Sequence, residues 1–193
     1  MLSITVALII AQAKTKPSLF PNEQLRLNRP DVKKLEPFIS IRQENLPASL
    51  GTVSFTVKLP VGITQRWPNR NHFILKQYVE DVKFFVNYDR MPKNSEVLDP
   101  ELKGKDIWKE SLRWKSDKRV PNVIVSDKFI GKWYELDRDE MEAERAVVID
   151  AYSKSNMVTI WFSFNKRLDV VKLRPLATSI LAATLYTIEE KKE

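Results

Sequence analysis

The stretch from Ala146 to Ile188, AVVIDAYSKSNMVTIWFSFNKRLDVVKLRPLATSILAATLYTI, decides the fold class of this chain. Two apolar runs rich in β-branched and aromatic residues, Ala146–Tyr152 and Met157–Phe164, flank the polar tetrapeptide Ser153-Lys154-Ser155-Asn156. This pattern predicts a β-hairpin. Apolar residues at helical spacing follow the hairpin, so we expect a helix that covers it and a short last strand.

Pro175 bears on where that helix begins. If Asp169 capped the helix, Pro175 would lie in the second turn, where it removes a hydrogen-bond donor and clashes with the carbonyl of Val171. We therefore expect a short turn at Asp169–Lys172 and a main helix that starts near Pro175, at the position proline tolerates. The residues expected to cover the hairpin are Leu176, Ile180 and Leu181, with Ala177, Ala182 and Ala183 allowing close approach.

Length and composition favour one globular domain. The chain has 193 residues, of which 43% are hydrophobic and 10% aromatic, which is enough for a single well-buried core. Helical and strand periods occur together, so the predicted class is α+β. We divide the chain into a signal peptide over residues 1–13, a proline-rich extended arm over 14–50 and a single α/β sandwich domain over 51–193.

The N-terminus carries a targeting pattern. Ile4–Ile10 is apolar and precedes Ala11-Gln12-Ala13, which matches the small-x-small end of a cleaved secretory signal. The apolar run is too short for a membrane span, which needs about 20 residues. Met1-Leu2-Ser3 lacks the usual basic residue, and a buried first strand is the alternative. The pattern predicts export to a periplasm, a thylakoid lumen or the extracellular space.

The arm is interrupted by proline. Pro17, Pro21, Pro30, Pro37 and Pro47 exclude helix interiors and central strands, so residues 14–50 are expected to form a solvated, extended spacer. Periodicity and turn residues then predict the following elements: strands at Thr52–Leu59 (ending at Pro60), His72–Val79, Val82–Tyr88, Val123–Val125 and Phe129–Leu136, a helix at Ile107–Lys115 capped by Asp106, and an acidic turn at Glu135–Glu144.

The charge is basic, at +7 with a pI of about 9.5, which favours acidic partners. A basic segment with interleaved aromatics supplies the predicted binding surface, whose residues are Trp108, Arg113, Trp114, Lys115, Lys118 and Arg119. The alternative is a helix whose tryptophan lies in the core and whose charges are solvated. This alternative argues against nucleic acid as the ligand. We expect a protein partner, and peripheral contact with an anionic membrane surface is a further option.

Catalytic patterns are poorly represented. The chain has no cysteine, a single histidine (His72), four glycines and no Gly-x-Ser-x-Gly elbow. The acidic run fails as a calcium loop, because Glu142 and Val148 stand where an EF-hand starting at Asp137 needs glycine and a bidentate acid. We predict a non-enzymatic protein without cofactor or metal, and keep a carboxylate-based hydrolase as an alternative.

Gly131-Lys132-Trp133 resembles the glycine-x-tryptophan signature of lipocalins. In that family the signature lies on the first barrel strand, but only 57 residues follow Leu136 here, too few for the remaining strands and a helix. The resemblance still leaves open, as an alternative function, a carrier of small apolar ligands. Its pocket would be lined by Trp108, Trp114, Trp133 and Trp161.

The order of elements resembles the PsbP-like domains, whose fold is shared with a small Ran-binding nuclear import factor. The resemblance rests on Val53–Leu59 with its Pro60 stop, on Asp106–Lys118 followed by Val120-Pro121-Asn122-Val123, and on the unit from Val147 to Leu185. It covers roughly residues 52–189. It implies an antiparallel sheet with helices on both faces, in an exported and non-enzymatic accessory or scaffold protein, and it assigns no functional residue.

Overall fold

A computed structural model of the chain describes residues 17–37, 41–44, 52–65, 72–75, 78, 81–92, 100–136 and 144–190. The described helices are α1 (Ile107–Ser116), α2 (Val170–Thr187) and a 3-10 turn at Val32–Lys34. The described strands are β1 (Leu25–Arg26), β2 (Leu35–Pro37), β3 (Ile41–Glu44), β4 (Thr52–Thr56), β5 (Lys58–Pro60), β6 (Ile63–Gln65), β7 (His72–Leu75), β8 (Val82–Arg90), β9 (Val123–Val125), β10 (Ile130–Leu136), β11 (Glu144–Tyr152), β12 (Asn156–Asn165) and β13 (Glu189–Glu190).

A large sheet organises the described part of the chain. Its eight strands follow the order β1-β9-β10-β11-β12-β8-β7-β6, and they pair antiparallel except for β1, which runs parallel to β9. The predicted hairpin forms its centre, with Ile149 opposite Ile160. A three-stranded sheet, β13-β4-β3, and a two-stranded sheet, β2-β5, complete the described strands. The predicted α+β class with a large antiparallel sheet is confirmed.

Alternation along the central strands separates two faces of the large sheet. In β8 and β12 buried and half-buried residues alternate, which is the period-two pattern of a sheet with one core face. The core face carries stacked rings of Phe73, Phe84 and Phe162, with centroids 4.9 and 5.6 Å apart. Helix α2 contributes to the same core through Ile180 and Leu181, which are fully buried as predicted.

Helix α1 contacts the other face of the large sheet, and we call that face the outer face. Asp106 caps the helix as predicted, since its carboxylate accepts a hydrogen bond from Lys109 N at 3.0 Å. Its buried residues pack against Ile130 and Tyr152, which alternate with the core-facing residues of β10 and β11. Helix α1 therefore covers the end of the outer face that β9, β10 and β11 form.

The predicted start of the last helix is wrong. Helix α2 begins at Val170, and the Asp169 carboxylate accepts a hydrogen bond from Val171 N at 3.0 Å, so Pro175 lies inside the helix. Pro175 and Val171 are both exposed, so the interrupted hydrogen bond lies on the exposed side of the helix. The N-cap and the burial of Leu173 in the first turn offset what proline costs.

The described part of the proline-rich arm packs against the rest of the chain, whereas a solvated spacer was predicted. Leu19 and Phe20 are fully buried in the main core. Beyond them β1 pairs with β9, and β2 pairs with β5. The prolines prevent helix and central strand, but short edge pairings and buried side chains remain available to an extended chain. Residues 1–13, the predicted signal peptide, lie outside the described residues.

Three charged side chains hold the start of this segment. The Glu135 carboxylate accepts hydrogen bonds from Ser18 Oγ at 2.6 Å and Leu19 N at 2.9 Å. Arg145 pairs with Glu135 at 2.9 Å, and Arg174 Nε donates to the carbonyl of Leu19 at 2.9 Å. Glu135, predicted to belong to a solvated acidic turn, therefore anchors the N-terminal segment. Residues 137–143 of that turn lie outside the described residues.

Tyr88, on the core face of β8, gives a pH-dependent prediction. Burial raises the pKa of Tyr88 to about 12, with a smaller contribution from the charge of Glu190, while a hydrogen bond with the Asn156 side chain opposes the rise. Because the folded pKa lies above the ordinary value of 10, the folded state holds the phenol proton more tightly than the unfolded chain. This stabilisation is complete below about pH 10 and is lost as the pH rises towards 12.

We expect the free energy of unfolding to fall more steeply between about pH 10 and pH 12 in the native protein than in Tyr88→Phe. Urea denaturation across this range measures both curves, and the difference between them removes the contribution of titrating lysines. Parallel curves would contradict the assignment to Tyr88.

Candidate functional site

The structure divides the predicted surface of α1 into a core residue and solvated charges. Trp114 is 2% exposed and packs between the helix and the sheet, with its ring centroid 6.2 Å from that of Tyr152. The Lys132 ammonium lies 4.7 Å above the same ring. Trp114 is therefore not available to a ligand at the surface. This agrees with the alternative interpretation, in which the helix has a core tryptophan and solvated charges. Trp108 is half-buried against the same cluster.

Two of the exposed cations on and just after this helix pair with nearby carboxylates. Arg113 lies 3.0 Å from Glu110, and Arg119 pairs with Asp117 through two hydrogen bonds of 2.9 Å. The hydrogen bonds from the side chain and then the backbone of Arg119 lower the pKa of Asp117 to about 2. Two of the four predicted cations are thus committed to carboxylates on their own segment, while Lys115 and Lys118 are exposed. The arrangement suits a solvated helix face better than a phosphate-binding surface.

The tryptophans of the carrier alternative do not surround one pocket. Trp133 is 3% exposed and meets Phe20 edge-on at 5.9 Å in the core. Trp108 and Trp114 border two different open grooves. Trp161 lies on the outer face of the sheet, away from the core. Gly131 of the lipocalin-like signature lies so close to the backbone of β11 that a side chain has no room there.

The outer face carries an aromatic row that sequence analysis did not identify. Strand register places four half-buried side chains side by side, one from each of β10, β11, β12 and β8. We call this row the aromatic stripe, and its residues are Tyr134, Val148, Trp161 and Phe85. At about 4.8 Å between strands, the row is roughly 14 Å long. In the described part of the chain, α1 is the helix that contacts this face, and it does so away from the stripe.

Trp161 and Phe85 form the centre of the stripe. They are directly opposed on β12 and β8, with ring centroids 5.7 Å apart and planes inclined at 21°. Offset stacking of this kind favours the pair by about 0.5–1.5 kcal/mol beyond the area it buries. Each ring therefore packs against the other while remaining partly exposed. His72 is opposite Phe85 in the next strand, β7, which makes it a neighbour of the stripe by register.

The charges around the stripe are nearly balanced. The described outward positions of β8, β10, β11 and β12 include two lysines and three carboxylates, which are Lys83, Lys132, Asp89, Asp150 and Glu144. Lys83 lies 3.3 Å from Glu144, and Thr159 Oγ1 donates a hydrogen bond to Asp150 at 2.8 Å. The net charge of +7 is thus not concentrated on this face.

Comparison with known proteins does not identify a family. The sequence matches no protein family, and it matches no curated protein. Among solved structures, a protein from Bacteroides thetaiotaomicron VPI-5482 is similar over 72% of this chain and 46% of its own, with a TM-score of 0.40 and 10% sequence identity. The chain spans less than half the length of that protein. The likeness carries no argument about function.

The sequence did contain a signal for the stripe. Along residues 82–90 and 156–165, buried apolar residues occupy every second position. The positions between them include Phe85 and Trp161, where a solvated sheet face would carry polar residues. Register between strands that are distant in sequence is needed to bring the two rings together.

Neither helix in the described part of the chain combines the length and the hydropathy needed to cross a membrane.

Proposed function

We propose that this chain is a non-enzymatic accessory module that binds a protein partner through the aromatic stripe. The observation that carries the proposal is the partly exposed, stacked pair of Phe85 and Trp161 at the centre of the outer face. Aromatic residues are enriched in protein interfaces, and tryptophan is a frequent hot spot because it buries a large area with little entropy to lose. The opposite face of the same strands is a filled core, which supports the stripe rigidly.

The charge pattern favours a protein over nucleic acid. A polyanion needs clustered cations along its backbone, and the two lysines near the stripe are matched by three carboxylates. The two central rings are stacked on each other, so a base would have to displace one of them to intercalate. A protein surface with apolar side chains at its centre and polar side chains at its rim fits both features.

A binding role also agrees with how the buried polar groups are used. Ser126 Oγ accepts a hydrogen bond from Phe129 N at 3.0 Å, and the hydroxyls of Ser111 and Thr184 donate to helix carbonyls at 2.8 Å each. These groups serve local structure.

We further propose that α1 and α2 are the outer layers of an α/β/α sandwich around the large sheet. Export and membership of the PsbP-like domains stay predictions, since the first rests on residues 4–13 and the second on pattern.

Substitution of Trp161 tests the proposal. We expect Trp161→Ala, and more strongly Phe85→Ala with Trp161→Ala, to weaken partner binding at least about thirtyfold, because hot-spot truncations cost about 2 kcal/mol or more. Partners would be captured by photo-crosslinking from positions beside the stripe, identified, purified and titrated against each variant by calorimetry.

Two exposed apolar residues elsewhere provide the matched controls. Leu112→Ala on α1 and Val171→Ala on α2 remove side chains that are 43% and 54% exposed, and both should bind the purified partner like the native protein. Equal affinity of Trp161→Ala and the native chain for that partner would refute the proposal. Denaturation curves establish that every variant is folded before it is titrated.

A further inference from the structure

A cleft of about 490 Å³ lies where three distant segments meet, on the side of the molecule formed by the N-terminal segment and the end of α2. Its walls come from residues 29–32, from the junction of β4 and β5, and from the end of α2 with the start of β13. The lining residues used below are Arg29, Val32, Val57, Lys58, Tyr186 and Glu189. The volume is in the range typical of small-molecule sites.

Hydrogen bonds hold the walls of this cleft in place. Tyr186 OH donates to the carbonyl of Leu27 at 3.0 Å, which ties the N-terminal segment to α2. Lys58 N donates to Thr187 Oγ1 at 2.9 Å, which ties the start of β5 to the same helix end. The pairing of β2 with β5, in which Pro37 lies opposite Lys58, ties the N-terminal segment to β5. A ligand would therefore meet a largely preformed site, with little ordering entropy to lose.

The lining combines apolar side chains with two cations. Val32 is 53% exposed and Val57 is buried, so an apolar ligand would remove exposed valine surface from water. Arg29 and Lys58 are exposed beside them. Arg29 is 3.8 Å from Asp127 in an ion pair whose side chains are 77% and 39% exposed, and such a pair is weak enough for a ligand anion to replace it.

We propose that this cleft binds an amphipathic organic anion, with its apolar part against Val32 and its acidic group near Arg29 and Lys58. Glu189, Asp127 and the partial negative charge at the end of α2 oppose an anion, whereas the guanidinium of Arg29 and the ammonium of Lys58 attract it. The net charge of +7 acts in the same direction. This site is separate from the aromatic stripe, and its test is independent of the proposed function.

Two fluorescent probes with nearly the same apolar body separate the role of Val32 from that of the two cations. The anionic probe is 8-anilinonaphthalene-1-sulfonate, and the neutral probe is N-phenyl-1-naphthylamine. We expect the sulfonate to bind one site per chain and to bind about five- to tenfold more weakly to Arg29→Gln with Lys58→Gln. The neutral probe should bind both proteins equally. High salt should weaken only the sulfonate, because it screens exposed charges.

Matched variants place the probe in the molecule. Val32→Asp should weaken both probes, whereas Val171→Asp, at an equally exposed valine of α2, should weaken neither. Trp161→Ala should leave both affinities unchanged, which excludes the aromatic stripe as the site. The proposal is overturned if the sulfonate binds the double variant as tightly as the native protein, if Val32→Asp is without effect, or if neither probe binds the native protein.

Discussion

Phe20→Ala is expected to lower the free energy of unfolding by about 3–5 kcal/mol, the range for a fully buried phenylalanine. Phe20 is 0% exposed, and its ring meets Trp133 edge-on with centroids 5.9 Å apart. Truncation removes apolar burial from the main core and leaves a cavity beside the tryptophan ring. The loss should be close to that of a central strand residue, although Phe20 lies in a proline-rich segment.

The consequence extends along the N-terminal segment. Leu19 and Phe20 enter the core together, and Glu135 and Arg174 hold the backbone at the same place. Without the phenyl ring, we expect amide hydrogen exchange of residues 19–27 to rise more than that of the central hairpin. Urea denaturation measures the first effect, and exchange followed by mass spectrometry measures the second.

Glu23→Ala is the matched control, because Glu23 lies in the same segment and is exposed. It should change stability by less than about 0.5 kcal/mol. A loss below 1 kcal/mol for Phe20→Ala would show that this segment is a spacer after all, as sequence analysis predicts.

Gly131→Ala is expected to cost about 3 kcal/mol or more, at or above the upper end of the range for overpacking. A Cβ at position 131 would lie 2.2 Å from the carbonyl oxygen of Asp150 and 2.7 Å from the Cα of Ala151. Both atoms belong to the backbone of β11, which is paired on both sides and cannot move without breaking its ladder. The clash therefore has to be relieved by separating β10 from β11.

Gly104 offers a control that isolates this clash. Gly104 has a φ of +75° and nothing within 4 Å of a built Cβ, so Gly104→Ala should cost only the roughly 1–2 kcal/mol of a left-handed backbone. Chemical denaturation should therefore rank Gly131→Ala well below Gly104→Ala in stability. The reverse order would contradict the close approach of β10 and β11.

The elements with strong periodicity were predictable from sequence. The hairpin of β11 and β12, the strand β9 and the cap of α1 at Asp106 are all confirmed. Strand Thr52–Leu59 was predicted as one unit, but it is divided at Val57, where the chain changes from pairing with β3 and β13 to pairing with β2. Local pattern cannot show this change of partner, since it depends on strands elsewhere in the chain.

Local rules failed where tertiary contacts outweighed them. Pro175 was expected to start a helix because proline costs about 3 kcal/mol in a helix interior. The missing hydrogen bond lies on the exposed side of α2, and buried residues on both sides of the proline keep the helix continuous. The prolines of the N-terminal segment are a second example. They predict irregular backbone, but they do not indicate whether that backbone is buried.

The sequence by itself determined the class of the fold, the identity of the central hairpin and the apolar side of α2, because periodicity is a property of neighbouring residues. Tertiary structure decided which residues the two candidate sites contain. The aromatic stripe takes one residue from each of four strands, and the cleft joins residues 29–32 to residues 186–189. Pairing register and chain closure bring these residues together, and neither leaves a pattern in the local sequence.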